Sequence, residues 1–306
     1  MPGFGPLPFG SRSVAHETQV TSTTEPAPGL SGAETPLFFD SGGRPLYAVH
    51  HEPAVRRPGA PVIVQCHSVG VEHVASYRFE VLAARAAAAA GFPVFRHHAS
   101  GHGDSSGDFA AVTLDSLVAD ALAARDEALG RSGATRALWA GLRLGALVAA
   151  CACGRSGGAA GLALWAPVHR PMDYFRGQLR GLLYGQVAEG RKPSATVDEL
   201  LAQIERDGKV DVHGYYLHRA LVASTRGESL AARIAGWAGP TFLAQVGGVT
   251  RLSPDNAALV QALGAHGARV TVCQVAKEPG WHFYENPPWE CPPLVAAYEE
   301  WLHALA

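Results

Sequence analysis

The sequence predicts an α/β fold: a mostly parallel sheet of about eight strands with helices on both faces. Three observations carry this. Short apolar runs alternate with longer helical segments from residue 61 onward. Such alternation implies β-α-β crossovers, which place parallel strands side by side and helices over them. Of the 306 residues, 47% are hydrophobic and only 17% charged, enough apolar side chain to fill a large core and too little charge to keep the chain open.

Residues 1–34 are rich in Pro, Gly, Ser and Thr without periodicity and read as a flexible leader, so the folded domain is expected over 35–306. TPLFFDSGGRPLYAVHHEP gives two β-rich runs around Ser41-Gly42-Gly43-Arg44, a hairpin signal. PVIVQCH (61–67), PVFRHHA (93–99), TRALWAGL (135–142) and the LALWAPV segment (161–168) read as strands, with helices over 77–90, 114–129 and 144–153 between them. Residues 171–236 hold only helical or irregular patterns with several aromatics, and are expected to form an inserted helical cap. The alternation resumes with strand PTFLAQVGG (240–248), a helix opened by Ser253-Pro254, strand RVTVCQV and a last helix opened by Pro292-Pro293.

A formal charge of −2, from 25 basic and 27 acidic residues without a long Lys/Arg run, makes nucleic acid an unexpected partner. No stretch reaches the roughly 20 clean apolar residues of a membrane span. The five cysteines form no disulfide framework, and MPGFGPLPFGSRS has no basic segment followed by an apolar core, so a cytoplasmic location is expected. Cys151 and Cys153 read as small buried hydrophobes. A histidine-only metal site from His67, His98, His169 and His282 lacks any ligand-spacing motif, and neither a metal nor a cofactor is expected.

Ligands of open parallel sheets bind beyond the carboxyl ends of the strands. Those ends carry Cys66-His67-Ser68-Val69-Gly70, His97-His98-Ala99-Ser100-Gly101-His102-Gly103-Asp104-Ser105, Gly141-Leu142-Arg143-Leu144-Gly145, His169 and Gly280-Trp281-His282-Phe283. In order and spacing, from about Thr35 onward, the chain resembles the α/β-hydrolase superfamily. His67 to Gly70 is similar to its oxyanion loop, Gly101 to Ser105 to its Gly-His-Gly-x-Ser turn, and Gly141 to Gly145 to its Gly-x-Ser-x-Gly nucleophile elbow. GLRLGAL, LALWAPV, DYFRGQLRGLLY and PLVAAYEEWL further resemble the second of the hydrolase-like proteins that accompany the exosortase A system in bacteria.

The resemblance implies an α/β-hydrolase fold with a helical cap, a serine-hydrolase type of site acting on acyl esters, thioesters or peptides, and a catalytic role for His282. This chain departs from that pattern twice. Arg143 occupies the nucleophile position, and its permanently protonated guanidinium cannot attack a carbonyl. Thr250 occupies the position of the acid, for which Asp255 and Asp173 are possible replacements.

Two functional readings follow. In the first, the protein binds a small carboxylate or acyl ligand, with Arg143 beside the backbone amides of Val69 and Leu144 and with Ser68 and His98 nearby. In the second, a displaced nucleophile among Ser68, Cys66, Ser100 and Ser105 works with His98 or His282 as a hydrolase or acyl transferase. A structural alternative stands beside both: Arg143 bridged internally to Asp104, Asp108 or Glu72.

Overall fold

The computed structural model describes residues 32–247, 251–276 and 289–305. All of the described residues belong to one unit, Ser31–Ala306. The predicted leader up to residue 31 lies outside the described residues, as do the predicted site positions Thr250 and His282.

The predicted hairpin forms from β1 (Gly32–Ser41) and β2 (Arg44–Pro53), antiparallel with Ser41 opposite Arg44. β3 (Val62–Cys66), β4 (Val94–His97), β5 (Ala137–Leu142), β6 (Gly161–Trp165), β9 (Thr241–Val246) and β10 (Val270–Val275) complete a sheet in the order β1-β2-β4-β3-β5-β6-β9-β10. Only the β1–β2 and β2–β4 pairings are antiparallel.

Both faces of the central strands are covered. On β3, Val62 and Val64 turn toward one apolar cluster and Ile63 toward the other. The first cluster takes Leu117 and Val118 from α2 (Leu114–Ser132) and Leu147 from α3 (Leu144–Ser156). The second takes Phe79 and Ala83 from α1 (Val71–Ala89) and Tyr298 and Trp301 from α9 (Pro292–His303). This two-sided burial explains why the strands read as near-continuous apolar runs. Among the described residues no helix is long and apolar enough to cross a membrane.

Two expectations need correction. α1 starts at Val71, not Tyr77, directly after Gly70, which has φ 60° and no side-chain cap. Its first turns carry buried Glu72, His73 and Ser76, so the helix enters the site before its apolar face begins. The 171–236 segment is not purely helical either. Besides α4 (Pro171–Ala188), α5 (Val197–Asp207), α6 (Arg219–Ser224) and α7 (Leu230–Arg233), it contains an antiparallel hairpin, β7 (Lys209–Val212) and β8 (Tyr215–His218). The turn residues His213 and Gly214 both have positive φ, 55° and 86°, as a two-residue hairpin loop requires. The polar/apolar alternation of KVDV marks the strand in retrospect, since Val210 and Val212 are buried between exposed Lys209 and Asp211. The remaining helix is α8 (Pro254–Ala265), capped by the Ser253 side chain with Pro254 in its first turn, as the sequence predicts.

Candidate functional site

Arg143 sits between β5 and α3 at φ 55° and ψ −118°, a strained conformation for a side-chain-bearing residue. Its amide donates to the Trp165 carbonyl at 3.0 Å, and its own carbonyl accepts from Ala146 and Val168. The flanking glycines are required by contact. A Cβ on Gly145 would press into the carbonyl oxygens of Cys66 and His67, and one on Gly141 into the backbone of Gly145 and Ala146. The strand-to-helix elbow at Arg143 is therefore a tight one, packed against the loop after β3.

Its side chain is engaged by a carboxylate. Arg143 Nη2 and Nε donate to Glu72, the nearest oxygens at 3.2 Å, and Nη1 donates to the Ala166 carbonyl at 3.1 Å. Glu72, on the first turn of α1, is fully buried, whereas the Arg143 side chain keeps 21% of its surface. The same carboxylate accepts from Ser68 Oγ at 3.0 Å and from Tyr174 Oη at 2.9 Å. Gln178 Nε2 in turn donates to Tyr174 Oη at 2.7 Å. Burial holds the Tyr174 phenol well above its ordinary value, so it stays a donor. The Arg143 guanidinium carbon also lies 5.4 Å from the centre of the Tyr174 ring. Of the three internal partners open from sequence, Glu72 is the one that bonds.

A cavity of about 280 Å³ opens over this cluster, between Arg143, Tyr174, Arg170, Asp173, His169 and Asp255. Ser68, Val69 and Leu144 do not line it: Ser68 and Leu144 are fully buried and Val69 nearly so, and the Glu72–Tyr174 pair stands on the Ser68 side of Arg143. The replacement acids are both turned to Arg170, which donates to Asp173 at 2.7 Å and to Asp255 at 3.1 Å. His169 bonds Asn256 Oδ1 through Nε2 at 2.7 Å, and burial lowers its proton affinity, so it adds no fixed charge.

Among the described residues no side chain of the displaced-nucleophile candidates is hydrogen-bonded to a histidine ring. Ser68 Oγ donates to Glu72, and Ser105 Oγ donates to the His98 carbonyl. Ser100 Oγ is buried without a partner among the described residues. Burial pushes the Cys66 thiol far up, which removes the thiolate that would attack. Cys151 and Cys153 are buried as expected, their thiols pushed up to about 11 and about 12.

His98 belongs to a different place. Together with His67, His73 and His102 it forms a packed cluster at the ends of β3 and β4, with ring centres 4.3 Å apart for His67–His73, 4.7 Å for His67–His102 and 5.5 Å for His73–His98. Burial lowers the proton affinity of all four, His98 to about 4; neighbouring histidines or Arg96 lower that of His67, His73 and His98 further, whereas the backbone bonds of His102 and nearby Asp120 oppose the effect there. The bonds assign protons: His67 Nε2 accepts from the Ala99 amide, so its Nδ1 carries the proton and donates to the Ser68 carbonyl. His102 donates from Nδ1 to the Ser100 carbonyl at 3.0 Å. Among the described residues no group of three His, Cys, Asp or Glu side chains could hold a metal ion.

Sequence reasoning offers Glu72 only as one of three internal partners for Arg143, and does not find Tyr174, Gln178 or His73 as site residues. Glu72 and His73 follow the oxyanion-like loop directly, and Tyr174 and Gln178 share one face of α4 at helical spacing, but nothing in the sequence pairs the two segments.

No protein-family model matches the chain, and no curated protein matches it in sequence. Solved structures do match in fold. Est1E from Butyrivibrio proteoclasticus, with ferulic acid bound, is 17% identical with a TM-score of 0.63, over 88% of this chain and 98% of that one. An esterase of Pyrococcus furiosus is 12% identical with a TM-score of 0.62, over 90% and 92%. The proline iminopeptidase of Mycobacterium smegmatis is 16% identical with a TM-score of 0.56, over 89% and 98%. The mostly parallel eight-stranded sheet that this chain shares with those proteins, helices on both faces, is the α/β-hydrolase fold.

Proposed function

We propose that the protein is a hydrolase-like binding protein: it holds a small acyl ligand in the cavity over the elbow and does not form an acyl-enzyme there. The observation that carries this is the Arg143–Glu72 bridge at the nucleophile position. The bridge also revises the expectation of an anionic ligand. Glu72 already answers the arginine's charge, and around the cavity three carboxylates (Glu72, Asp173, Asp255) face two guanidinium groups (Arg143, Arg170). An uncharged acyl or ester group suits that balance better than a carboxylate does. The narrower resemblance to the exosortase A-associated hydrolase-like proteins points to a cytoplasmic role near exopolysaccharide production or surface-protein sorting.

The test is fluorophosphonate labelling read by intact mass, with p-nitrophenyl ester turnover, on wild type, Arg143→Ser and Arg143→Ser/Glu72→Gln. The double variant avoids leaving a buried carboxylate without its cation. Wild type is expected to remain unlabelled and inactive. A wild-type adduct would overturn the proposal, and its position would name the displaced nucleophile that works with His282 or another histidine.

A further inference from the structure

A second cavity among the described residues is larger than the one over the elbow. It measures about 970 Å³, lies between the ends of β3 and β4 and the β7–β8 hairpin, and has neither Arg143 nor Glu72 in its wall. Its volume is that of a pocket for a drug-sized molecule. Aromatic rings make its sides: Tyr77 from α1, Phe109 from a single 3-10 turn at Phe109–Ala111, and Tyr215 and Tyr216 from the hairpin. The Lys209 ammonium lies 3.9 Å from the centre of the Tyr216 ring, and Asp104 and Asp108 also line the cavity, so the few charges of its wall are of both signs.

Its floor is the histidine cluster. His98 and His102 are 5% and 6% exposed, and His98 has neither ring nitrogen hydrogen-bonded among the described residues. Because His102 spends its Nδ1 proton on the Ser100 carbonyl, its unpartnered Nε2 is a bare lone pair. Such buried orphans cost free energy until something pairs with them. Uncharged imidazoles offer no net charge to pair with an organic ion, but a bare ring nitrogen such as His102 Nε2 can accept one hydrogen bond.

We propose that this cavity is a second binding site, for an uncharged aromatic molecule that carries a hydroxyl or N–H donor: its ring lies between the Phe109 and tyrosine side chains and its donor reaches the His98–His102 floor. The site is independent of the elbow and of the acyl ligand proposed for it.

The probes are p-cresol, benzoate and benzylamine, matched in size and differing in charge. Binding is followed at pH 7.5 by calorimetry and by two-dimensional proton–nitrogen spectra of the histidine rings. Expected are saturable p-cresol binding, at least about tenfold weaker binding of both charged probes, and movement of the unprotonated ring-nitrogen signals of His102 or His98. Tyr216→Ala, at an exposed wall position, and His102→Phe should each weaken p-cresol about tenfold, whereas Arg143→Ser should not. If His102→Phe does not fold, Tyr216→Ala and the histidine spectra decide. Absence of saturable p-cresol binding, equal binding of benzoate, indifference to Tyr216→Ala, or loss of binding in Arg143→Ser would each overturn the proposal. So would displacement of p-cresol by stoichiometric zinc, which would reveal the cluster as a metal site that closes on its ion.

Discussion

The two cavities at the strand ends solve the problem of buried polar groups in opposite ways. At the elbow, charge is kept and every strong donor is matched: Arg143, Glu72, Tyr174, Ser68 and Gln178 form one connected set. Beside it, charge is removed: the histidines are uncharged, and several ring nitrogens are unmatched among the described residues. A saturated network specifies one geometry, whereas an unsaturated one leaves binding capacity for a ligand. The elbow residues thus fix the geometry of their own cavity, and the larger cavity keeps unmatched hydrogen-bond acceptors in its wall.

Acid should produce the largest effect, and chiefly on the side of the histidine cluster. His97 and His98 are held at about 4 by burial, against 6.5 for a free histidine, and His67, His73 and His102 are lowered as well. Protons then bind the unfolded chain first, so stability is full above about pH 6.5 and lost as pH falls from there toward 4. The loss is on the order of 1 kcal/mol or more per buried histidine at pH 5. Glu80, whose carboxylate lies 4.0 Å from His73, runs the other way. Burial raises it to about 8 from an ordinary 4.5, so its contribution is full below 4.5 and lost as pH rises through 8. Urea midpoints between pH 5 and 9 should show both limbs, and Glu80→Gln should flatten only the alkaline one; a pH-independent midpoint would break the comparison.

Breaking the charged set comes next. Arg143→Met leaves Glu72 fully buried without its cation and should cost about 3–5 kcal/mol in denaturant unfolding, while Arg143→Met/Glu72→Leu should recover part of that. If the single and double variants lose the same amount, the bridge is not what organises the elbow. The smallest effect belongs to Tyr174→Phe, which deletes one donor to Glu72 and one acceptor for Gln178. It should cost about 1–2 kcal/mol by the same assay, with the fluorophosphonate result unchanged.

Much of the fold was legible because its determinants are local. Strand and helix lengths follow from apolar runs and caps: Ser253-Pro254 opens α8 and Pro292-Pro293 opens α9 where the sequence places them. The β7–β8 hairpin is not legible in the sequence because four-residue strands around His213-Gly214 give little periodicity. The late start assigned to α1 has a related cause, since a first turn with Glu72, His73 and Ser76 buried carries no apolar stripe.

By itself the sequence determined the sheet, its mostly parallel order of strands and helices, and the backbone of the elbow, because spacing of apolar runs and the Gly141/Gly145 pair are constraints between near neighbours. It also determined that Arg143 cannot be a nucleophile, which is a property of the guanidinium and needs no geometry. Only the tertiary structure decided which carboxylate meets that arginine, 71 residues away along the chain, and which histidines crowd into one uncharged cluster. Those choices depend on distance and on desolvation by several elements at once, and neither quantity exists until the chain has folded.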